Sequence, residues 1–303
     1  MKIVECVPNI SEGRDEAKIA AVTAEIEKHE GVRLLNVQSD KDHHRSVITF
    51  IGEPLAVKEA ALAMALKAIE LIDMRSHRGA HPRMGAVDVV PFVPIQGVDM
   101  EETVAVAREF GKELGRRGIP VYYYEEAATS PLRRDLPVIR KGEYEGFAEK
   151  MKAPQWKPDE GPSTFNTRSG ATVVGARFPL IAYNVNLRTD DLALAKEIAR
   201  KVRFKDGGFP HVRAMGVGLK EKRMVQVSMN LTNYRVTGMP AVYAFIREEA
   251  ARHGVEVAES EIVGLIPLGA VEGVFNHFLR CPDFSIRQVI EQRVLASGDK
   301  QKP

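Results

Sequence analysis

The spacing of apolar positions switches along the chain between periods of about 3.6 and 2 residues, and these switches outline its elements. Lys2 to Val7 predicts a short strand, closed by the turn-forming pair Pro8 and Asn9. Ser11 to Asp15 supplies the small polar residue and the acids of a helix start, and Ile19, Val22 and Ile26 then share one helix face. Val32 to Val37 and Ser46 to Ile51 read as strands on either side of a polar loop, Gln38 to His44. Pro54 to Ile72 is so rich in Ala, Leu and Ile that most of its helical circumference must be covered. The β-branched run Val87 to Val93 predicts the next strand. Val106, Ala107, Phe110 and Leu114 mark a further helix that Gly118 stops, and Pro120 to Tyr124 is a strand.

From Ala127 to about Ala176 periodicity is weak, apart from a short helix near Glu143 to Met151, and the stretch holds Trp156, the single tryptophan. A long irregular segment is functional or a linker, and here it reads as both. Beyond Pro179 the pattern is cleaner: a strand at Ile181 to Leu187, then a helix marked by Leu194, Ala195, Ile198 and Val202. Val212 to Leu219 and Met224 to Leu231 form a hairpin across Lys220 to Arg223. Val242, Phe245, Ile246 and Ala250 mark a second helix, and a last strand precedes Pro267. That is β-α-β-β-α-β, the ferredoxin-like order. The first half fits the same order with an added strand and helix. The expected fold class is therefore α/β (α+β), two ferredoxin-like βαββαβ-type subdomains with mixed or antiparallel sheets, residues 1–178 and 179–303.

Composition narrows the function. The 303 residues carry 43 basic and 41 acidic side chains, a net +2, which gives no bulk attraction to nucleic acid or membrane. Cys6 and Cys281 are the only cysteines, too few for a disulfide framework or a cysteine-built zinc site. Nothing at the N-terminus resembles a signal peptide and no run approaches the ~20 apolar residues of a membrane span, so a cytoplasmic protein is expected.

Candidate chemistry gathers between Met74 and Phe92, MRSHRGAHPRMGAVDVVPF. His81 precedes Pro82, which pushes it out of the helical region, and Gly79 and Gly85 bracket it. His81 is either a structural residue or a base, and the neighbouring Arg78 and Arg83 would keep its imidazole neutral. The run DKDHHR, Asp40 to Arg45, could join His77 and His81 in a metal site. The i, i+4 spacing of those histidines suits ligands only on a helix, and Gly79 and Pro82 argue against one, so no metal is expected. Arg45 is either part of a solvated turn or an anion anchor at the strand mouth. Gly161 to Gly170, GPSTFNTRSG, is a linker or a ligand-wrapping loop, and lacks the Gly-Lys-Thr of a phosphate loop. Cys6, in a short apolar strand, reads as a core residue rather than a nucleophile. Asn184, Asn186, Gln226, Ser228 and Asn230 fall on one strand face, which is either half-solvated or suited to a heterocyclic ligand.

Taken together, VECVPNISEG at 4–13, LIDMRSHRGAHPRMGAVDVVPF at 71–92, GPSTFNTRSGAT at 161–172 and LIAYNVNL at 180–187 resemble the glutamate formiminotransferase family. The resemblance runs from about residue 3 to 270 and implies transfer of a formimino group from N-formimino-L-glutamate to tetrahydrofolate, with tetrahydrofolate as co-substrate. It places the catalytic histidine at His81 and the folate-contacting loop on Gly161, Pro162, Ser163, Thr164, Phe165, Asn166, Thr167, Arg168, Ser169 and Gly170. The sequence departs from the family at Asn166 to Ser169, where a more apolar stretch is usual, and at His44, where asparagine is common. Arg45, Arg83 and Arg168 are candidates for the donor's carboxylates, and Asn184 and Gln226 for the pterin or its tail. A ligand cleft between the subdomains is the expected place for both substrates. Association into a homodimer is expected, as is a separate cyclodeaminase, since the chain ends at 303 without room for one. The rival readings are ATP-dependent, cycloligase-like processing of 5-formyltetrahydrofolate and a folate-binding module without catalysis.

Overall fold

A computed structural model describes residues 1–303 except 42, 80, 220, 221, 282, 283, 291 and 293–303. The chain divides into two compact units, Met1–Arg177 and a second from Phe178 onward. Asp42 of the DKDHHR run, Lys220 and Glu221 of the expected hairpin turn, and most of the tail after Phe284 lie outside the described residues.

The first unit opens with an interrupted strand. β1 (Ile3–Cys6) and β2 (Asn9–Ile10) are separated by Val7 and Pro8, because proline has no N–H to give to a ladder. The expected turn at Pro8 and Asn9 is therefore a break within one strand line. α1 (Glu16–Glu27) is capped by Asp15, whose side chain accepts from the Lys18 amide, and β3 (Val32–Asp40) and β4 (Arg45–Gly52) form a hairpin. The polar loop expected at 38–44 is thus strand over Gln38, Ser39 and Asp40, and the turn begins at Lys41. α2 (Pro54–Leu71) carries proline in its first turn, β5 (Val87–Gln96) follows, and a capping box of Asp99 with Glu102 starts α3 (Met100–Arg116). β6 (Val121–Glu125), α4 (Leu136–Arg140), α5 (Glu143–Lys150) and β7 (Thr172–Ala176) complete the unit.

The strands form one mixed sheet in the order β3, β4, the β1/β2 line, β5, β7, β6. β5 pairs antiparallel with β1 and β2 but parallel with β7, which also runs parallel to β6. β7 is the strand the irregular segment concealed. A parallel strand buried on both faces reads as an unbroken apolar run, and Thr172–Ala176 is too short for a run of that kind to be distinguished. One sheet face packs on α1, α2 and α3 through Ile26, Met64, Phe110 and Tyr123. The other packs on α4 and α5, where Tyr122 and Tyr124 meet Ile139 and Phe147.

The second unit contains β8 (Ile181–Leu187), α6 (Leu192–Val202), β9 (Val212–Leu219), β10 (Met224–Leu231), α7 (Met239–Arg252), β11 (Val257–Val263) and α8 (Leu268–Phe278). Its sheet is antiparallel in the order β11, β8, β10, β9. Val185, Val227, Ile198 and Val242 lie in its core. α8 was not expected, since Gly269 and Gly273 weaken its helical signal, and it forms where Ala270 and Val274 pack against this core. No helix among the described residues is long and apolar enough to cross a membrane.

Gly170 stands where the two segments that build the site cross. Its φ is +70°, and an added Cβ would lie 2.1 Å from the Met84 carbonyl oxygen. Gly118, at φ +84°, has nothing within 4 Å of such a Cβ. Gly118→Ala should cost only the left-handed strain, about 1–2 kcal/mol, whereas Gly170→Ala adds a backbone collision and should cost clearly more. Urea unfolding of both variants checks this, and equal losses would contradict the close crossing.

Candidate functional site

The register of three strands brings the central groups together. Asn9 is paired with Val47 of β4 on one side and Val89 of β5 on the other, so Arg45 and Asp88 flank it. The Arg45 guanidinium donates to Asn9 Oδ1 from Nε at 2.9 Å and also from Nη2. Its Nη1 donates to Asp88 Oδ2 at 3.0 Å and lies 2.7 Å from His81 Nδ1. Asp88 is 1 % exposed; it also accepts from Arg140 Nη2, at the end of α4, and from the Met84 amide at 2.9 Å. Burial raises the Asp88 pKa, but Arg140, Arg45 and the Met84 amide outweigh it and hold the carboxyl below its ordinary value.

His81 Nδ1 is also 2.6 Å from the Pro82 carbonyl oxygen. Its pKa is pushed down to about 3, by burial first and then by Arg45 and Arg140, against the opposing pull of Asp88 and the Pro82 carbonyl. The imidazole is therefore neutral, as expected, but the arginines responsible are Arg45 and Arg140 rather than the adjacent Arg78 and Arg83. Arg45 is itself pushed down to about 10, mainly by burial.

A second set of contacts holds the histidine loop in place. Arg83 Nε donates to His77 Nδ1 at 3.3 Å, which fixes the proton on His77 Nε2, and that nitrogen donates to the His44 carbonyl at 3.0 Å. The His44 and His77 rings stack with centroids 4.4 Å apart. The His44 Nδ1 accepts from the Gly13 amide at 3.1 Å, and Glu12 Oε1 gathers the amides of Gly13, Arg14 and Asp15. Arg83 is buried, and its Nη1 and Nη2 donate to Glu145 at 2.8 and 2.6 Å, with Glu143 at 3.1 Å from Nη1. Its donors are thus spent on tying the loop to α5. Gly79 lets that loop approach the turn after β3, for a Cβ there would meet the His43 carbonyl oxygen at 2.3 Å. Ser11, His43, His44, Arg45, His77, His81 and Arg83 line a small pocket.

The Gly161 to Gly170 loop joins this arrangement at its far end. The Ala86 amide donates to Ser169 O at 2.8 Å and the Ala171 amide to Met84 O at 3.1 Å. Asn166 Oδ1 accepts from the amides of Arg168 and Ser169, each at 3.1 Å. Arg168 donates to the Glu70 carbonyl at the end of α2, at 2.8 Å, a stabilising place for a cation. Phe165 packs against Tyr144, ring centroids 5.2 Å apart. The buried Ser169 Oγ has no hydrogen-bond partner among the described residues.

The remaining candidates belong to the second unit. Gln226 donates to Asn186 at 2.9 Å and Asn186 to Glu259 at 3.0 Å, and beside this chain Asn184 donates to Glu261 at 3.2 Å. Cys6 is fully buried and its thiol is pushed far up by that burial, as a core residue's would be. Among the described residues no group of three or more His, Cys, Asp or Glu side chains is placed to hold a metal ion. Sequence reasoning passed over Asn9, Asp88 and Arg140. Asp88 did leave a signal, as a lone acid inside the apolar run Val87 to Val93, whereas Arg140 sits in the stretch without periodicity.

Two family models cover the chain. Residues 3–177 match the N-terminal subdomain of the formiminotransferase domain, and residues 182–296 match the formiminotransferase domain itself. The chain belongs to the formiminotransferase family. A glutamate formimidoyltransferase of Thermoplasma acidophilum is 47% identical over 97% of this chain and 98% of its own length. One from Streptococcus pyogenes is 42% identical over 97% and 99%. A formimidoyltransferase-cyclodeaminase of Rattus norvegicus is 46% identical over 89% of this chain but only 51% of its own length.

In this formiminotransferase chain Asp88 neutralises charge for both arginines. Asp88→Asn leaves them buried without a counter-charge and should cost about 3–5 kcal/mol at pH 7. The carboxyl's folded pKa lies below its unfolded value, so its contribution is complete above about pH 4 and fades as pH falls through the lower folded value. Urea unfolding of parent and variant across pH should show the difference between them shrink only below about pH 4.

Proposed function

We propose that the chain transfers the formimino group from N-formimino-L-glutamate to tetrahydrofolate, giving 5-formiminotetrahydrofolate and L-glutamate. The observation that carries this reading is the neutral His81 held beside Arg45 and Arg140 in a chain matched throughout to formiminotransferases. The folate amine attacks the amidine carbon, forming a C–N bond and a tetrahedral intermediate. His81 takes the proton this amine sheds and returns it to the glutamate nitrogen, whose C–N bond to the transferred carbon breaks. The amidinium is already electrophilic, so no metal is needed, and positioning of both substrates supplies much of the rate.

The Gly161 to Gly170 loop is read as the folate contact, with Asn184 and Gln226 meeting the pterin or its tail. Arg45 is read as a carboxylate contact. Arg83, spent on Glu143 and Glu145, supports the substrate through the loop it anchors. We further read the two units as ferredoxin-like subdomains, residues 1–178 and 179–303. The chain as a cytoplasmic homodimer served by a separate cyclodeaminase belongs to the same reading.

The test follows glutamate release from N-formimino-L-glutamate, which should require tetrahydrofolate. His81→Ala should lower turnover by ~10²-fold or more while tetrahydrofolate still binds. Full activity in that variant would remove the base from the mechanism. Turnover of 5-formyltetrahydrofolate only with ATP would favour a cycloligase-like reaction, and folate binding without turnover of either donor would favour a binding module.

A further inference from the structure

Three features around His81 do not close on themselves. The first lies at His81 Nδ1, which is 2.7 Å from a guanidinium nitrogen of Arg45 and 2.6 Å from the Pro82 carbonyl oxygen. A guanidinium only donates and a carbonyl only accepts, while an imidazole nitrogen has one hydrogen-bonding direction in the ring plane. The two contacts therefore cannot both be hydrogen bonds at once. With Arg45 engaged, Nδ1 is an acceptor, the ring proton sits on Nε2, and Nε2 cannot accept another. With Pro82 engaged, Nδ1 carries the proton and Nε2 presents its lone pair.

The second feature is charge. Asp88 faces both Arg45 and Arg140, at 3.0 Å from the first and in direct contact with the second, so one carboxylate meets two guanidiniums. Among the described groups in contact with His81, the Pro82 carbonyl and the His43 ring, 6.0 Å away, supply no negative charge. Tyr124 behind Arg45 is held neutral by burial, which raises its pKa. The third feature is a vacancy in pairing: the buried Nε of Arg140 has no hydrogen-bond partner among the described residues. Arg45 spends its Nε hydrogen and one Nη2 hydrogen on Asn9 and one Nη1 hydrogen on Asp88, and its other Nη1 hydrogen is aimed at His81.

We infer that the formimino donor readies its own base: one of its carboxylates is taken by Arg45 and Arg140, which releases His81 Nδ1 to the Pro82 carbonyl and opens Nε2 as the proton acceptor. This rests on the formiminotransferase reading given above. Arg140 becomes a specificity residue for an anionic donor, and Arg45 becomes the link between donor binding and the tautomer of His81. The carboxylate also offsets the two positive charges that, with burial, hold His81 at a pKa of about 3, so the base strengthens when the donor is in place. A neutral amidine gains no such switch and is a poor substrate even where it fits.

Nitrogen-15 NMR of histidine-labelled protein tests this, with the His81→Gln variant assigning the resonance and L-glutamate as the added ligand. The expected result is a His81 protonated at Nε2 in the free protein and at Nδ1 when L-glutamate is bound. A tautomer that is already Nδ1-protonated in the free protein, or that is unmoved at saturation, overturns the inference. So does failure of L-glutamate to bind in calorimetry. Kinetics give an independent readout: the acid limb of kcat, which reports the bound enzyme, should lie at higher pH than that of kcat/KM. Arg140→Gln should raise KM for N-formimino-L-glutamate by about tenfold to a hundredfold, with KM for tetrahydrofolate unmoved and Arg140→Lys restoring part of the loss. Coincident acid limbs, or equal effects on both substrates, would assign Arg140 to structure alone. Absence of transfer in the parent enzyme would instead strike at the formiminotransferase reading, while intact transfer with a static His81 strikes only at this inference.

Discussion

Asp88 is the group on which the site depends. A carboxylate with 1 % exposure is costly to bury, and it is tolerated because two guanidiniums and a backbone amide converge on it. Each partner comes from a different place in the chain: Arg45 from the start of β4, Arg140 from the end of α4, and Met84 from the loop before β5. One acid thereby fixes the mouth of the antiparallel hairpin, the helices on the opposite face and the histidine loop relative to one another. His81 is placed by consequence, since its Nδ1 meets the Arg45 that Asp88 and Asn9 already hold.

A second set of contacts braces the wall of the pocket. Arg83 spans from His77 to Glu143 and Glu145, and His77 passes the constraint to the backbone of His44. His44, stacked on His77, has its Nδ1 3.3 Å from the Glu12 carboxylate, which collects three amides at the start of α1. Orientation of this kind is what a reaction between two bound substrates requires, because most of its acceleration comes from restricted geometry.

Much of this was legible in the sequence. The helices at 16–27, 54–71 and 100–116 and the strands of the second unit follow from periodicity, and the His-Pro step with its bracketing glycines singled out the loop. The misses share a physical cause. Thr172–Ala176 is a doubly buried parallel strand and shows no alternation, while Leu136–Arg140 is too short for a helical period. Arg140 was hidden with its helix. Arg83 was visible but ambiguous, since sequence alone does not say that Glu143 and Glu145, about sixty residues on, are adjacent to it in space. Charged partners of that separation have no local signature.

The position of β7 has a consequence for how the protein is made. β5 and β6 precede it in the chain, yet neither pairs with the other, and β7 lies between them. During synthesis both edges wait unsatisfied until residues 172–176 emerge, a span of about seventy-five residues after β5 ends. Long-range parallel pairing is slow, and waiting strand edges invite the wrong neighbour. The same insertion carries Gly170 onto Gly85 and so brings the Ser169 backbone to the histidine loop. Closure of the sheet of the first unit and the contact of Ser169 with the segment after the histidine loop therefore arrive together, as the last strand is added.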